Sequence, residues 1–244
     1  MERAIDLLGT IFLNHKVCKS HGIDHAIKVM QNAEKALQEE NLPTRIQQAV
    51  KYAALLHDAD DRKFFPEHHN FENARAIIRE CIIQQEDEPH IIRMIELVSA
   101  AKNGNEIPAD CKKHKWMLIP RWCDRIEALG WGGVVRCWDY TRTAGRPLYT
   151  ENTKRATSLN DLHQNIATPD RYQAYRLRGD SESMIDHYYD KILHIGEYTS
   201  NTWINGEMRS RMMAMEFLCL FFGRRGFLND ADYDMAVELS KQER

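Results

Sequence analysis

The chain has 244 residues, 43% of them hydrophobic and 28% charged, with a formal net charge of −3. That length is enough for one sizeable domain with a real core, or at most two small ones. The nearly balanced charge leaves no global basic field of the kind that gathers nucleic acid. The greasiest stretch, 212–222, contains Glu216 and falls well short of the roughly 18 apolar residues of a membrane span.

Six cysteines (Cys18, Cys81, Cys111, Cys123, Cys137 and Cys219) are scattered without a CxxC pair, a usage that suggests reduced thiols in a cytosol-like compartment. The opening MERAIDLLGTIFLNHK carries charges too early, and too short an apolar run, for a signal peptide. A soluble, cytoplasmic protein is expected.

In chain order, Ile5, Leu8, Ile11 and Phe12 give residues 3–18 a helical apolar period. Ser20 is an N-cap for a helix expected over about 23–40, with His25 in its first turn. After the break Asn41-Leu42-Pro43-Thr44, the Ala-rich run AVKYAALLHD carries a helix to about Asp58. Residues 59–66, ADDRKFFP, form a charged loop. Helices follow over about 71–85 and from Pro89 to about Ala101, then a polar loop over 102–110. Residues 114–129 are helical, with Pro120 as a kink or a start. Gly130 to Gly133 is a glycine-rich turn before a helix over 134–140. Residues 141–170 carry no regular pattern. The last helices are expected over 182–194, 202–222 and 230–241, with the Met-rich part, 208–215, as core. There is no sustained alternation and no Asn-Gly hairpin turn, so the fold class is all-α.

The chemistry gathers at the end of the Ala-rich run. Adjacent helical residues point about 100° apart, so His57 and Asp58 share a site only at a helix end, where bonds to one ion converge. An imidazole beside a carboxylate suits a divalent transition metal, Mg²⁺ or Mn²⁺. Taken alone, the dipeptide reads equally as a solvated helix end. His25 and Asp124 add an imidazole and a carboxylate on two further expected helices. Facing helices of a bundle build internal metal centres in this way, and such a donor set leaves room for water, as a catalytic site requires.

The order His25, His57-Asp58, Asp124 resembles the HD-domain metal-dependent phosphohydrolases. Residues 21–29, HGIDHAIKV, resemble the family's first motif, with Lys28 where Arg is usual. Residues 53–61, AALLHDADD, resemble the second, and residues 118–130, LIPRWCDRIEALG, the last. The Asp124-Arg125 run, the loop Gly145-Arg146-Pro147-Leu148-Tyr149 and the later Lys191-Ile192-Leu193 are similar to a subgroup of predicted hydrolases and bacterial nucleoside-triphosphate pyrophosphohydrolases. The resemblance covers about residues 20–222. It implies a single HD-type helical domain over 1–244, with the metal-site core at about 20–140 and the helices of 180–242 completing the pocket. It also implies one divalent ion, Mn²⁺, Mg²⁺ or another transition metal, on His25, His57, Asp58 and Asp124.

Other residues take roles around that set. Asp61 follows Asp58 by three positions, which keeps two carboxylates on one face, and is the candidate for orienting or deprotonating the attacking water. Capping of the next element is the alternative for Asp60 and Asp61. His21 stands four residues before His25, but with Gly22 between them it reads as a neighbour of the site or a surface group. His68, His69 and His90 lie in polar, loop-like surroundings and read as surface; the alternatives are a two-metal centre, as some relatives in the superfamily have, and, for His68 or His69, a place near a phosphate channel. Lys63, Arg142, Arg146 and Lys191 are the candidates for binding phosphate, with Arg125 beside Asp124. Trp116, Trp122, Trp131 and Trp138 surround the last motif as packing, with base stacking as the alternative. The absence of a P-loop or GxGxxG argues against ATP-driven and dinucleotide redox chemistry.

The expected activity is hydrolysis of a nucleotide, first a nucleoside triphosphate to monophosphate and pyrophosphate. The alternatives are a nucleotide phosphatase or a (p)ppGpp-type or cyclic-nucleotide hydrolase. Cyclic dinucleotides are disfavoured, because no Gly-Tyr-Pro follows His57-Asp58. A nucleotide-sensing module without turnover is the reading from another class. The expected partner is a small phosphate substrate, not a membrane or nucleic acid, and a homodimer stays open.

Overall fold

A computed structural model describes residues 1–81, 84–196 and 199–243. Residues 82 and 83, within the helix expected over 71–85, lie outside it. Among the described residues there is no strand, as the all-α expectation required. The helices are α1 (Glu2–Asn14), α2 (Ile23–Leu37), α3 (Thr44–Leu56), α4 (Glu72–Glu80), α5 (Glu88–Glu96), α6 (Ala100–Asn103), α7 (Ile119–Ala128), α8 (Gly130–Thr143), α9 (Leu159–Asp161), α10 (Pro169–Arg178), α11 (Met184–Asp190), α12 (Thr202–Arg225) and α13 (Asp230–Ser240). None of these is long and apolar enough to cross a membrane.

The chain divides into two compact units. The first comprises Met1–Ser99, Glu106–Asp124 and Asn201–Ile204. Its centre is α3, packed on α2 along one side and on α5 along another. Tyr52, Ala53, Ala54, Leu55 and Leu56 are all buried; a stretch of helix covered on every side belongs in a core. The facing helix α2 buries Ala26, Ala33 and Ala36 without exposure. Small side chains on both partners let the two backbones approach closely. The polar residue that follows Leu56 is thereby carried into the interior. Chain from the start of α12 also belongs here: the backbone N–H groups of Thr202 and Trp203 donate to Glu39, and Asn201 donates to the Ala36 carbonyl.

The second unit comprises Ala100–Asn105, Arg125–Ser200 and Asn205–Arg244. Here α8 packs on α13 and α11, and α10 packs on α11 and α6. Asp186, at the start of α11, is buried and accepts from Thr153 Oγ1 (2.7 Å), Ser183 Oγ (2.6 Å) and Arg171 (2.9 Å). Asn229 and Asp232 form a reciprocal capping box at the start of α13.

Several local expectations are revised. Ser20 does not cap α2: Gly22 occupies that position, and Ser20 lies in a 3₁₀ turn, Lys19–His21. Of the two readings of Pro120, the helix start holds: it stands in the first turn of α7, after a 3₁₀ turn at Lys115–Leu118. The glycines at 130–133 are not a turn ahead of a helix but the first turn of α8. Gly130 has a φ of +77°, which glycine adopts without strain. A Cβ at Gly133 would run into the Ala128 carbonyl, so the corner between α7 and α8 needs glycine for close approach. The helix α10 was not foreseen; Pro169 in its first turn and Gly179 in the left-handed conformation at its end mark both boundaries.

Candidate metal centre

His25 comes from the first turn of α2, His57 caps the end of α3, Asp58 follows it, and Asp124 lies on α7. All four belong to the first unit. The His25 Nε2 atom is 3.2 Å from His57 Nε2 and 3.3 Å from Asp124 Oδ1. The His57 Nε2 atom is 3.4 Å from Asp58 Oδ2 and 3.5 Å from Asp124 Oδ1. His25 Nε2 and Asp58 Oδ2 are 3.9 Å apart. The two imidazoles are almost wholly buried, at 2% and 1% side-chain exposure, while Asp58 and Asp124 keep 20% and 29%. The cluster is therefore closed at the back by the rings and open at the front along its carboxylates.

The tautomer of His57 follows from its surroundings. Its Nδ1 lies 2.9 Å from the Ala54 carbonyl, which only accepts, so Nδ1 carries a proton and donates. That orients Nε2 toward the cluster, as a backbone-anchored metal-binding histidine is oriented. Burial pushes the His57 pKa down, but the Asp58 and Asp124 carboxylates outweigh it and hold it well above the histidine range. Burial likewise pushes Asp58 and Asp124 up, and the two histidines overcome it, drawing both carboxyls well below their ordinary range. The group thus demands positive charge at its centre. Protons on the rings or a divalent ion would meet that demand, and two imidazole nitrogens with two carboxylate oxygens are a donor set that fits such an ion.

Asp61 and Lys63 stand beside the cluster. The Lys63 backbone N–H donates to Asp61 Oδ1 (3.0 Å), and Lys63 Nζ is 3.9 Å from Asp61 Oδ2. Burial, and then the Asp58 charge, raise the Asp61 pKa. His21 also comes here: its Nε2 is 3.4 Å from Lys63 Nζ. The sequence reading had set His21 aside as a neighbour or surface residue; its spacing to His25 was the available signal. Asp60, by contrast, accepts from the backbone of Asn73 and Ala74 and caps α4, while His68 Nδ1 holds the same carboxylate at 2.5 Å. His69 and His90 are exposed.

The remaining phosphate candidates lie in the second unit, and each has partners there. Arg142 pairs with Asp230 (2.5 Å) and covers the Tyr233 ring; Arg146 pairs with Asp180; Lys191 sits over the Tyr175 ring. Arg125 is buried and donates to the Gly104 and Ile195 carbonyls and to Asn105, so it braces the backbone. Trp122 and Trp138 are buried packing residues, and Trp131 meets Phe217 edge-on.

No protein-family model matches the sequence. The protein L803 of Acanthamoeba polyphaga mimivirus is 37% identical over 218 residues, covering 83% of this chain and 87% of that one. Three solved structures are similar in fold. A Lactobacillus plantarum protein has a TM-score of 0.67 at 18% identity, over 92% of this chain and 97% of that one. An HD-superfamily hydrolase from Bacillus thuringiensis has a TM-score of 0.60 at 19% identity, over 93% and 97%. The Lin1889 protein of Listeria innocua has a TM-score of 0.58 at 17% identity, over 93% and 98%.

Proposed function

This chain belongs to the family of the mimivirus protein L803 and shares the helical fold of an HD-superfamily hydrolase; from that premise we propose that it is a metal-dependent phosphohydrolase acting on a nucleotide. The observation that carries the reading is the convergence of His25 Nε2, His57 Nε2, Asp58 Oδ2 and Asp124 Oδ1 at one half-open spot. These four residues would hold the ion. A divalent ion supplies charge to a phosphate oxygen and lowers the pKa of water from about 15.7 toward about 7.

The chain's own residues do the rest. Asp61, with its pKa raised by burial and by Asp58, is a stronger base than an ordinary carboxylate and accepts the proton of the attacking water. Lys63, about half exposed, offers an ammonium to a phosphate oxygen. The favoured reaction is attack of water on the α-phosphorus of a nucleoside triphosphate. The bond from that phosphorus to the bridging oxygen breaks, and pyrophosphate leaves. The motif resemblance favours this bond over the others.

The test is product analysis. Metal-stripped protein is incubated with dATP, dGTP, GTP and a simple phosphate monoester, with Mn²⁺, Mg²⁺ or neither. Monophosphate and pyrophosphate, formed only with metal, are expected. Inorganic phosphate instead would move the assignment to a phosphatase. Tight nucleotide binding without product would make the protein a sensor.

A further inference from the structure

We propose that the outward face of α12 is a docking site for an amphipathic helix of a partner protein, one with an apolar face and an acidic residue near each end. At about 100° per residue, Arg209, Met213, Phe217, Leu220 and Arg224 lie within about 80° of one another around the helix. The solvent side of a helix is ordinarily polar. Here Met213 is 64% exposed and Phe217 48%, Leu220 is half-buried, and the two arginines are exposed. The Met-rich part of α12 is therefore only partly core: Met208 and Met215 are buried, and Met213 is not.

Phe217 is held ready for a partner. Its ring stacks on Phe221 at 5.8 Å and meets Trp131 edge-on at 5.7 Å, so it has little freedom left to lose on binding. Aromatic anchors of this kind carry most of the energy of an interface. One turn earlier, a cavity of about 280 Å³ is lined by Met208, Met212 and Met213, together with Arg209 and Glu216. Three unbranched thioether side chains adapt to whatever apolar group enters.

The charges select the occupant. Glu216 is committed to His163 at 2.8 Å. Among the described residues, neither the Arg209 nor the Arg224 guanidinium makes a hydrogen bond or an ion pair. The two stand about 22 Å apart along the helix, so a complementary helix of about four turns carries a carboxylate near each end. A second copy of α12 fits badly. In a parallel two-fold pairing each arginine meets its own counterpart, and in an antiparallel one Arg209 meets Arg224 of the other copy; like charges face each other in both. A lipid surface fits badly too. In-plane binding draws on a strongly basic face, and this one offers two arginines in a chain of net charge −3.

Fluorescence anisotropy with a labelled synthetic peptide and the full chain tests this. The probe is a helix of about 18 residues with leucines along one face and a glutamate near each end. Its control carries lysine in place of both glutamates. The chain is expected to bind the glutamate peptide about tenfold more tightly than the lysine peptide, or better. Phe217→Ala and Met213→Ala, both at exposed positions, should each weaken that binding about tenfold, with the helical circular dichroism unchanged. Arg209→Glu combined with Arg224→Glu should reverse the preference between the two peptides. No binding of the glutamate peptide would overturn the proposal, as would undiminished binding by Phe217→Ala or a preference that the double reversal leaves intact. A dimer of the unaltered chain that Phe217→Ala makes monomeric would assign the face to a second copy instead. Flotation of the chain with phosphatidylserine vesicles, lost in Phe217→Ala, would assign it to a membrane.

Discussion

The Nε2 atoms of His25 and His57 lie 3.2 Å apart, although 32 residues separate the two in sequence. His57 has its Nδ1 proton committed to the Ala54 carbonyl, so it turns Nε2 toward His25. With Asp58 and Asp124 completing the group, the buried ends of α2 and α3 form a place that favours positive charge.

That place should be lost by removing one ligand without losing the fold. His57→Ala and Asp58→Ala are expected to abolish binding of the ion and to lower turnover by about 10³-fold or more, the scale of several kcal/mol of lost charge stabilisation. Far-UV circular dichroism should stay helical, because α3 keeps its buried apolar face. Metal content and turnover measured together decide it; a variant with normal turnover would remove the residue from the site.

The same group couples metal binding to pH. His57 has a raised pKa in the metal-free fold, so its stabilisation is present below the ordinary histidine value of about 6.5 and is lost as pH rises through the folded value. Asp58 and Asp124 have lowered values. Their stabilisation is present above the ordinary carboxylate value of about 3.9 and is lost as pH falls through the folded values. Above the His57 value, metal no longer competes with a proton on the ring. The gain in Tm on adding Mn²⁺ should therefore grow between pH 5.5 and 8.5. Thermal melts with and without Mn²⁺ across that range measure it, and a gain that shrinks with pH would contradict the scheme.

Stability of the second unit should depend on Asp186. Its carboxylate takes hydrogen bonds from Thr153, Ser183 and Arg171, and Arg171 also pairs with Asp190 at 2.6 Å. Asp186→Ala leaves buried donors without their acceptor and is expected to cost about 3–5 kcal/mol, the range for breaking a buried ion pair. Denaturant unfolding reads this directly. A loss under about 1 kcal/mol would mean that the network relaxes around the gap.

Much of the helix pattern was legible because its signals are local. The apolar period of α1, the Pro43 break before α3 and the amphipathic run from Asp230 that becomes α13 each involve residues within one or two turns. Less local features were missed. Gly130 to Gly133 look like a turn until the Ala128 carbonyl is seen against Gly133. Arg125 looks like a phosphate ligand until its guanidinium is found on the Gly104 and Ile195 carbonyls.

By itself, the sequence determined which side chains could hold a metal, because ligand chemistry and motif spacing are properties of residue type and order. It also determined that the Ala-rich run up to Leu56 would be helical, because such residues lose little on entering a helix. Only the tertiary structure decided that His25, His57, Asp58 and Asp124 bring their donor atoms close together, and that His21 comes next to Lys63 beside them. Those convergences depend on how closely α2 and α3 pack and on which hydrogen bond fixes each ring, and neither is encoded within a single turn of chain.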